Sequence, residues 1–434
     1  MFAPYIPTIA ILIFLSFIGL MFFTKEDKNR TYIKLILLVY PLMATYILPG
    51  GIGINNFDLI SVVFFVAFYK RKKNENFNYY NFILFCILLI TSIIGCALAE
   101  NITTETFRSF FELFAIFIFS KILLEECLYE PSFFYEVIDC LKITVIVSLC
   151  FLAGQFIFGM TFTINRELNV NVFQDNLLRY PGFFQDPQKF GQFLAASSFL
   201  FLIKKPDEEK LPTKNYVLLL FTLIALLYTG GRAASGGWVL GFALIVMFGN
   251  SKLKLYSILL ASIMVLVIFY FKDNFALFNR GDNLSDSYAW RNAIWMDAIG
   301  IVKNNFFFGI GSGNYANYVS IHNPNQSFIV NNQVINYDQP ESGYLKLLTE
   351  YGIIGFISIF LLIITPMINS FVTYLKTKDT TLLLLISPVI CWMVSYYTVY
   401  SFGDIRIQII IVTITCMSIA YCRQIKNPEL LHED

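Results

Sequence analysis

Apolar runs of roughly 17–22 residues recur along the sequence, and that is the length an α-helix needs to cross a bilayer. In lipid every backbone polar group must bond within its own segment, so a chain of such runs is constrained to a bundle of spanning helices. Composition agrees. Of 434 residues, 57% are hydrophobic and 14% charged, against about 25% charged in an ordinary soluble domain. The expected fold class is all-α, a single polytopic membrane domain over residues 1–434. The first run, Tyr5–Phe23, lacks a small-residue cleavage pattern and precedes further spans, so it reads as a retained helix. About thirteen spans are expected, within a range of 12–14, at 4–23, 32–49, 56–70, 82–99, 107–123, 138–159, 190–204, 215–230, 235–249, 254–271, 352–372, 381–399 and 405–422. A net charge of +1 gives no reason to expect a nucleic-acid partner. The eight cysteines have no zinc-like spacing and read as small apolar residues; no metal or cofactor is expected.

Positive charge orients the bundle. "KRKK" at 70–73, the lysines at 204, 205, 210 and 214, and Arg423 with Lys426 mark loops on the cytoplasmic side. The N-terminus then lies outside and the C-terminus inside. Two long outer segments result, 160–189 and 272–351. The second is far longer than a connection requires, and long loops usually carry function.

Arginine and lysine separate across this topology. Arg108, Arg166, Arg179, Arg232, Arg280, Arg291 and Arg406 fall at or beyond the outer face. Arg30, Arg71 and Arg423 fall inside, and of 21 lysines only Lys189, Lys272, Lys303 and Lys346 fall outside. The positive-inside rule treats the two residue types alike. A guanidinium differs in donating two parallel hydrogen bonds to phosphate while keeping its charge. Two readings remain open: chance with interfacial snorkelling, and an outer-face site for a phosphate-bearing ligand. Arg232 stands in "YTGGRAASGGWVLG", 228–241, a tight outer turn between two spans. Its glycines allow close approach, and Ser235 is the expected N-cap of the helix that follows. A plain interfacial anchor explains Arg232 equally well on this stretch alone.

The large outer loop carries three further patterns. "DNLSDSYAWRNAIWMDAIGIV", 282–302, reads as a helix capped by Ser285 or Asp286. It has an apolar stripe through Trp290 and Ile294, and Tyr288, Arg291 and Trp295 share another face. "GIGSGNY", 309–315, follows no strand and reads as a turn rather than a phosphate loop. Glu341 in "DQPESGYLKLLTEYGIIGF", 338–356, either opens a helix, "PES" being a favourable start, or serves as a base.

Taken together, "TGGRAASGGW", the spacing of Arg291 to Trp295, "FFGIGSGNY", "ESGYLKLLTEYGIIG" and "RYPGFFQDPQKFGQFLA" resemble the O-antigen polymerase/ligase superfamily. That group comprises the Wzy-type polymerases and the lipopolysaccharide O-antigen ligases. The likeness runs over roughly residues 179–356. Ligases usually carry a His-Asn pair where this chain has Glu341-Ser342, and the loop's only histidine, His322, lies earlier; this departure favours a polymerase. The resemblance implies a GT-C-like, metal-independent, inverting glycosyltransferase in the bacterial inner membrane, with its site facing the periplasm. Its implied substrates are undecaprenyl-pyrophosphate-linked oligosaccharides for O-antigen or capsule. Implied partners are membrane lipids, a chain-length regulator and a flippase. Arg232, Arg291 and Glu341 are the expected catalytic residues, with His322 as the alternative base. Arg179, Arg280, Tyr180, Gln188 and Tyr344 are expected substrate or pyrophosphate contacts. An O-antigen ligase is the nearest rival. A lipid-linked oligosaccharide flippase needs polar groups at mid-membrane depth, where this chain has few charges, chiefly Asp58, Glu112, Asp139 and Lys142. A non-catalytic scaffold is the third alternative.

Overall fold

The computed structural model describes residues 5–45, 54–72, 79–99, 102–165, 168, 172–174, 177–278, 284–322, 327–330, 333–336 and 339–426. Fifteen α-helices lie among them: α1 Ile6–Phe23, α2 Lys28–Leu38, α3 Asn56–Ala67, α4 Tyr79–Leu98, α5 Thr104–Tyr129, α6 Phe133–Phe158, α7 Pro187–Ser198, α8 Thr213–Tyr228, α9 Arg232–Phe248, α10 Ser251–Phe271, α11 Leu284–Asn304, α12 Tyr315–His322, α13 Gly343–Thr377, α14 Thr380–Tyr396 and α15 Ile405–Lys426. Each of the thirteen expected spans falls on one of these helices, and α11 and α12 occupy the large loop. Among the described residues, five helices are long and apolar enough to cross a membrane: α4, α6, α10, α13 and α15. The fold is an all-α membrane protein. Its described strands form two small antiparallel hairpins, β1 (Phe173–Gln174) with β2 (Leu177–Leu178) and β3 (Ser327–Val330) with β4 (Gln333–Asn336). One lies in each of the two long loops; short helices were expected in 272–351, and no element was assigned to 160–189.

Helix starts follow the side chains that can satisfy a free amide. Asp27 accepts from Asn29 and Arg30 at α2, Asn55 from Asp58 at α3, Asp186 from Gln188 at α7, and Asp379 from Thr381 at α14. Thr103 and Thr106 make a reciprocal capping box at α5. Three boundaries differ from the sequence expectation. In the span expected over 32–49 the α-helix stops at Leu38, because Pro41 opens a 3-10 turn at Tyr40–Leu42 and a proline ring cannot continue the preceding helix; residues 46–49 lie outside the described residues. The span over 190–204 becomes the twelve-residue α7 plus a 3-10 turn at Phe199–Leu202. The span over 352–372 begins earlier, at Gly343, in a 35-residue helix broken at Gly352 (φ +60°).

The core is built around α7, whose residues Phe190 to Ser198 are all buried, so this helix has no lipid face. Phe183, Phe184, Phe190 and Phe193 interlock beside it, with Phe183 and Phe193 edge-on at 5.5 Å. By contrast α10 is apolar all round, and only Ser257 and Met264 are buried; a helix apolar on every face and still exposed is a lipid-facing span. The tightest helix pair is α9 against α14. A side chain at Gly237 would strike the Cys391 carbonyl, and one at Gly241 would lie 2.8 Å from the Ser387 carbonyl. Small residues spaced by four let two helix backbones meet.

The two ends of the bundle gather different segments. One end holds ion pairs: Arg30 with Glu126 and Glu130, Lys34 with Glu136, Lys72 with Asp27, Lys121 with Glu125, and Lys205 with Asp139. The other gathers the 179–186 segment, the 228–232 turn, the 306–315 turn and the 397–404 segment. Arg30 and Arg71 lie at the ion-paired end, Arg108, Arg179, Arg232 and Arg406 at the turn end. Arg166 and Arg280 lie outside the described residues.

Candidate active site

The turn between α8 and α9 is made by three consecutive residues. Thr229 closes α8 through its hydroxyl on the Leu226 carbonyl (2.7 Å) and accepts from the Gly231 amide (3.2 Å). Gly230 reverses the chain at φ +62°. Gly231 is then the N-cap and α9 starts at Arg232. Ser235 is therefore not the cap; its amide already donates to the Gly231 carbonyl at 3.0 Å. The left-handed glycine completes the reversal so early that helical bonding begins a turn sooner than the sequence suggests. Arg232 is exposed in the first turn, with its Nε donating to the Leu277 carbonyl at 3.4 Å. A cation here opposes the helix dipole, whereas an anion bound beside it would be favoured by both.

Arg179 lies directly behind this turn. It is fully buried, and its Nε donates to the Thr229 carbonyl at 2.9 Å. A side chain at position 230 would come within 2.9 Å of that Nε, so Gly230 is required both by its backbone angle and by this contact. Tyr180 donates its amide to the Tyr228 carbonyl at 3.2 Å, and its ring sits 4.2 Å from Phe156 and 5.9 Å from Tyr228. Arg179, Tyr180 and Arg232 thus converge. Gln188 is placed differently: its amide caps α7 on Asp186 at 2.8 Å. Burial raises the Asp186 carboxyl above its usual range, and the charge of Lys189 offsets part of that rise.

α11 begins at Leu284, so Ser285 and Asp286 lie inside it rather than capping it. Ile294, Ala298 and Ile301 bury against Ile310, Tyr315 and Val319, and the Trp295 ring meets Tyr397 edge-on at 5.8 Å. Arg291 stands one turn before Trp295, partly exposed. The side chains of Tyr288 and Trp290 lie outside the described residues.

Glu341 has a left-handed backbone (φ +50°) just before α13. For a residue with a Cβ this conformation costs about 1–2 kcal/mol. Such strain collects at functional sites. Tyr344 donates its hydroxyl to the Met393 carbonyl at 2.7 Å and packs edge-on to Tyr396 at 5.2 Å, so it ties α13 to α14. His322, at the exposed end of α12, stacks on Tyr318 at 4.0 Å, with its Nδ1 3.0 Å from the Tyr318 carbonyl.

The 306–315 turn is a turn, as its sequence context suggests, and its use is architectural. Its backbone pairs with the broken stretch of α13: the amides of Ile310 and Gly311 donate to the Thr349 and Glu350 carbonyls, and Ile353 donates back to Phe306 (2.9, 2.9 and 2.8 Å). Asn314 accepts from Thr106 at 2.6 Å, and Ser312 shares a 2.6 Å hydrogen bond with Tyr351. A side chain at Gly311 (φ +87°) would overlap the Cys96 sulfur.

Three ion-paired groups at this end were not singled out from sequence. Arg406 grips Asp404 through Nε and Nη2 (2.9 and 2.8 Å), donates to the Phe183 carbonyl (2.6 Å) and covers the Phe184 ring, with Lys189 3.8 Å from the same carboxylate. Burial alone would raise Asp404; the Arg406 guanidinium outweighs it and holds the carboxyl at about 2. Lys346 pairs with buried Glu350 at 4.0 Å and lies over the Tyr400 ring. Arg108 pairs with Glu112 at 3.0 Å. The four-residue spacings of 108–112 and 346–350 were the available signals. Arg108 and Arg406 are therefore neutralised within the protein and leave the set offered to a ligand.

Residues 217–361 match the family model described as O-antigen ligase. This segment is a domain of the O-antigen polymerase/ligase superfamily. Comparison with curated proteins gives no match. The superfamily domain runs from α8 into α13 and contains Arg232, Arg291, His322, Glu341 and Tyr344, while Arg179, Tyr180, Gln188 and the Asp404 group lie outside it. The family consists of glycosyltransferase-like membrane enzymes with lipid-linked sugar substrates.

Proposed function

We propose that this protein polymerises lipid-linked oligosaccharide repeat units, transferring a growing glycan from undecaprenyl pyrophosphate to a sugar hydroxyl on a second lipid-linked unit. The turn end faces the periplasm, on the outer side of a bacterial inner membrane. The observation that carries this reading is the convergence at the 228–232 turn. Exposed Arg232 and the amides opening α9 form one donor set, and buried Arg179 holds the turn from behind. Arg179 then acts by positioning the turn. In the transfer, the acceptor oxygen bonds to the anomeric carbon as the bond to the pyrophosphate oxygen breaks and its electron pair leaves with the lipid pyrophosphate. Fixed donors stabilise that developing charge. Arg232 and Arg291 supply them, with Arg280 as a further contact. Glu341 takes the acceptor's proton, and its strained backbone at the mouth of α13 supports that role. Inversion at the anomeric carbon follows from this single displacement.

The family description itself, O-antigen ligase, favours a second reading with lipid A-core as acceptor. Offering purified protein both acceptors with one labelled donor separates the two. Label appearing in lipid-linked dimers supports the polymerase, and label appearing only on lipid A-core overturns it.

A further inference from the structure

Two cavities adjoin between α4, α5, α13 and α15, the first running from Arg71 and Lys121 up to Leu113 and Phe402. The first is an apolar groove lined by Phe85, Leu88, Leu113, Ile116, Leu362 and Val412. The second, of about 430 Å³, is richer in polar groups, with Asn81, Thr365, Asn369, Ser418, Arg423 and Lys426 in its wall. Asn81 and Ile419 line both, so the two cavities share a wall. Pro366 stands in α13 at this level, and a proline inside a helix bends it and opens space beside it.

We infer that this pair of cavities binds one anionic glycerophospholipid of the surrounding bilayer, headgroup in the polar chamber and an acyl chain in the groove. Charge selects the headgroup. Among the described residues, Arg71, Lys121, Arg423 and Lys426 line the cavities with one acid, Glu125, which Lys121 already holds at 2.6 Å. Length selects a lipid of one leaflet. From Leu113 to Leu128 along α5 is roughly 22 Å at 1.5 Å per residue. One leaflet offers ~15 Å of hydrocarbon, and its headgroup layer adds about 5–7 Å. The uncharged donors Asn81 and Asn369 and the hydroxyls of Thr365 and Ser418 suit the glycerol and ester oxygens between them. The inference is independent of the glycan-transfer reading, and the headgroup chamber beside Arg423 and Lys426 lies at the end of the bundle opposite the arginine turn.

Native mass spectrometry of the purified full chain, with palmitoyl-oleoyl phosphatidylglycerol and phosphatidylcholine as probes, tests it. The protein is expected to retain one phosphatidylglycerol in preference to phosphatidylcholine. The exposed-charge variants Arg71→Gln and Lys426→Gln should each reduce that preference about five-fold, the worth of one cation near an anionic headgroup. Val412→Trp should fill the groove and abolish retention of either lipid. Equal retention of the two lipids, or an unchanged preference in both charge variants, overturns the inference. So does retention that survives Val412→Trp. Displacement of phosphatidylglycerol by equimolar undecaprenyl phosphate would assign the groove to a polyprenyl chain instead and overturns it as well.

Discussion

Glu341 carries a side chain where the backbone favours glycine, which allows its chemical and conformational roles to be separated. Glu341→Gly relieves the backbone strain, so the variant should be at least as stable as the parent on thermal unfolding. Glu341→Gln keeps the shape but cannot accept a proton. If the carboxylate is the base, both should lose transfer activity by about 100-fold or more, the usual worth of general base catalysis. Full activity in Glu341→Gly would mean that the residue only shapes the entrance to α13. Asp404 has the opposite character. Its carboxyl is held at about 2 by Arg406, below an unfolded value of ~3.9. The pair therefore stabilises fully above about pH 4, and that contribution is lost as pH falls toward 2. Between pH 5 and 8 it should leave stability flat. Asp404→Asn leaves Arg406 buried without its partner carboxylate and should cost about 3–5 kcal/mol, seen as a large drop in the unfolding midpoint throughout that range.

At the scale of elements, the packing of α9 on α14 sets where Arg232 stands. Gly237 touches the Cys391 backbone, so Gly237→Val must push the two helices apart. A loss of about 1–3 kcal/mol is expected from such overpacking, with activity falling further than stability because the first turn of α9 shifts. An unchanged melting temperature would show that the helices are not held by this contact. The helices were legible because apolar length is a direct signal of a membrane helix; all thirteen expected spans landed on helices, and among the described residues five of these are long and apolar enough to cross a membrane. What sequence left open has local causes. Pro41 shortened α2, and Gly230 moved the start of α9 ahead of Ser235. The two hairpins sit in loops with no alternating pattern strong enough to announce them. Arg179 and Arg232 could be chosen by residue type and position, but their adjacency depends on a contact between segments fifty residues apart. Arg108 and Arg406 were grouped with the ligand-facing arginines because sequence shows a charge and not its partner, even though a carboxylate stood four and two residues away.

For the whole molecule, the concentration of lysine in the loops at one end, 70–73 and 204–214, predicts orientation. A cysteine at Asn304 should react with a membrane-impermeant thiol reagent added to intact cells, above the background of the parent, and one at Glu209 should not. Labelling at Glu209 would invert the topology and remove the arginine turn from the periplasmic side. In the proposed reaction this one chain, using Arg232, joins lipid-linked units. Purified protein given synthetic undecaprenyl-pyrophosphate repeat units, and nothing else, should produce a ladder of products with release of undecaprenyl pyrophosphate. Arg232→Lys keeps the charge but loses the planar fork, and should slow that ladder about 100-fold while folding normally. No ladder from the parent protein, or an equal ladder from Arg232→Lys, would contradict the account.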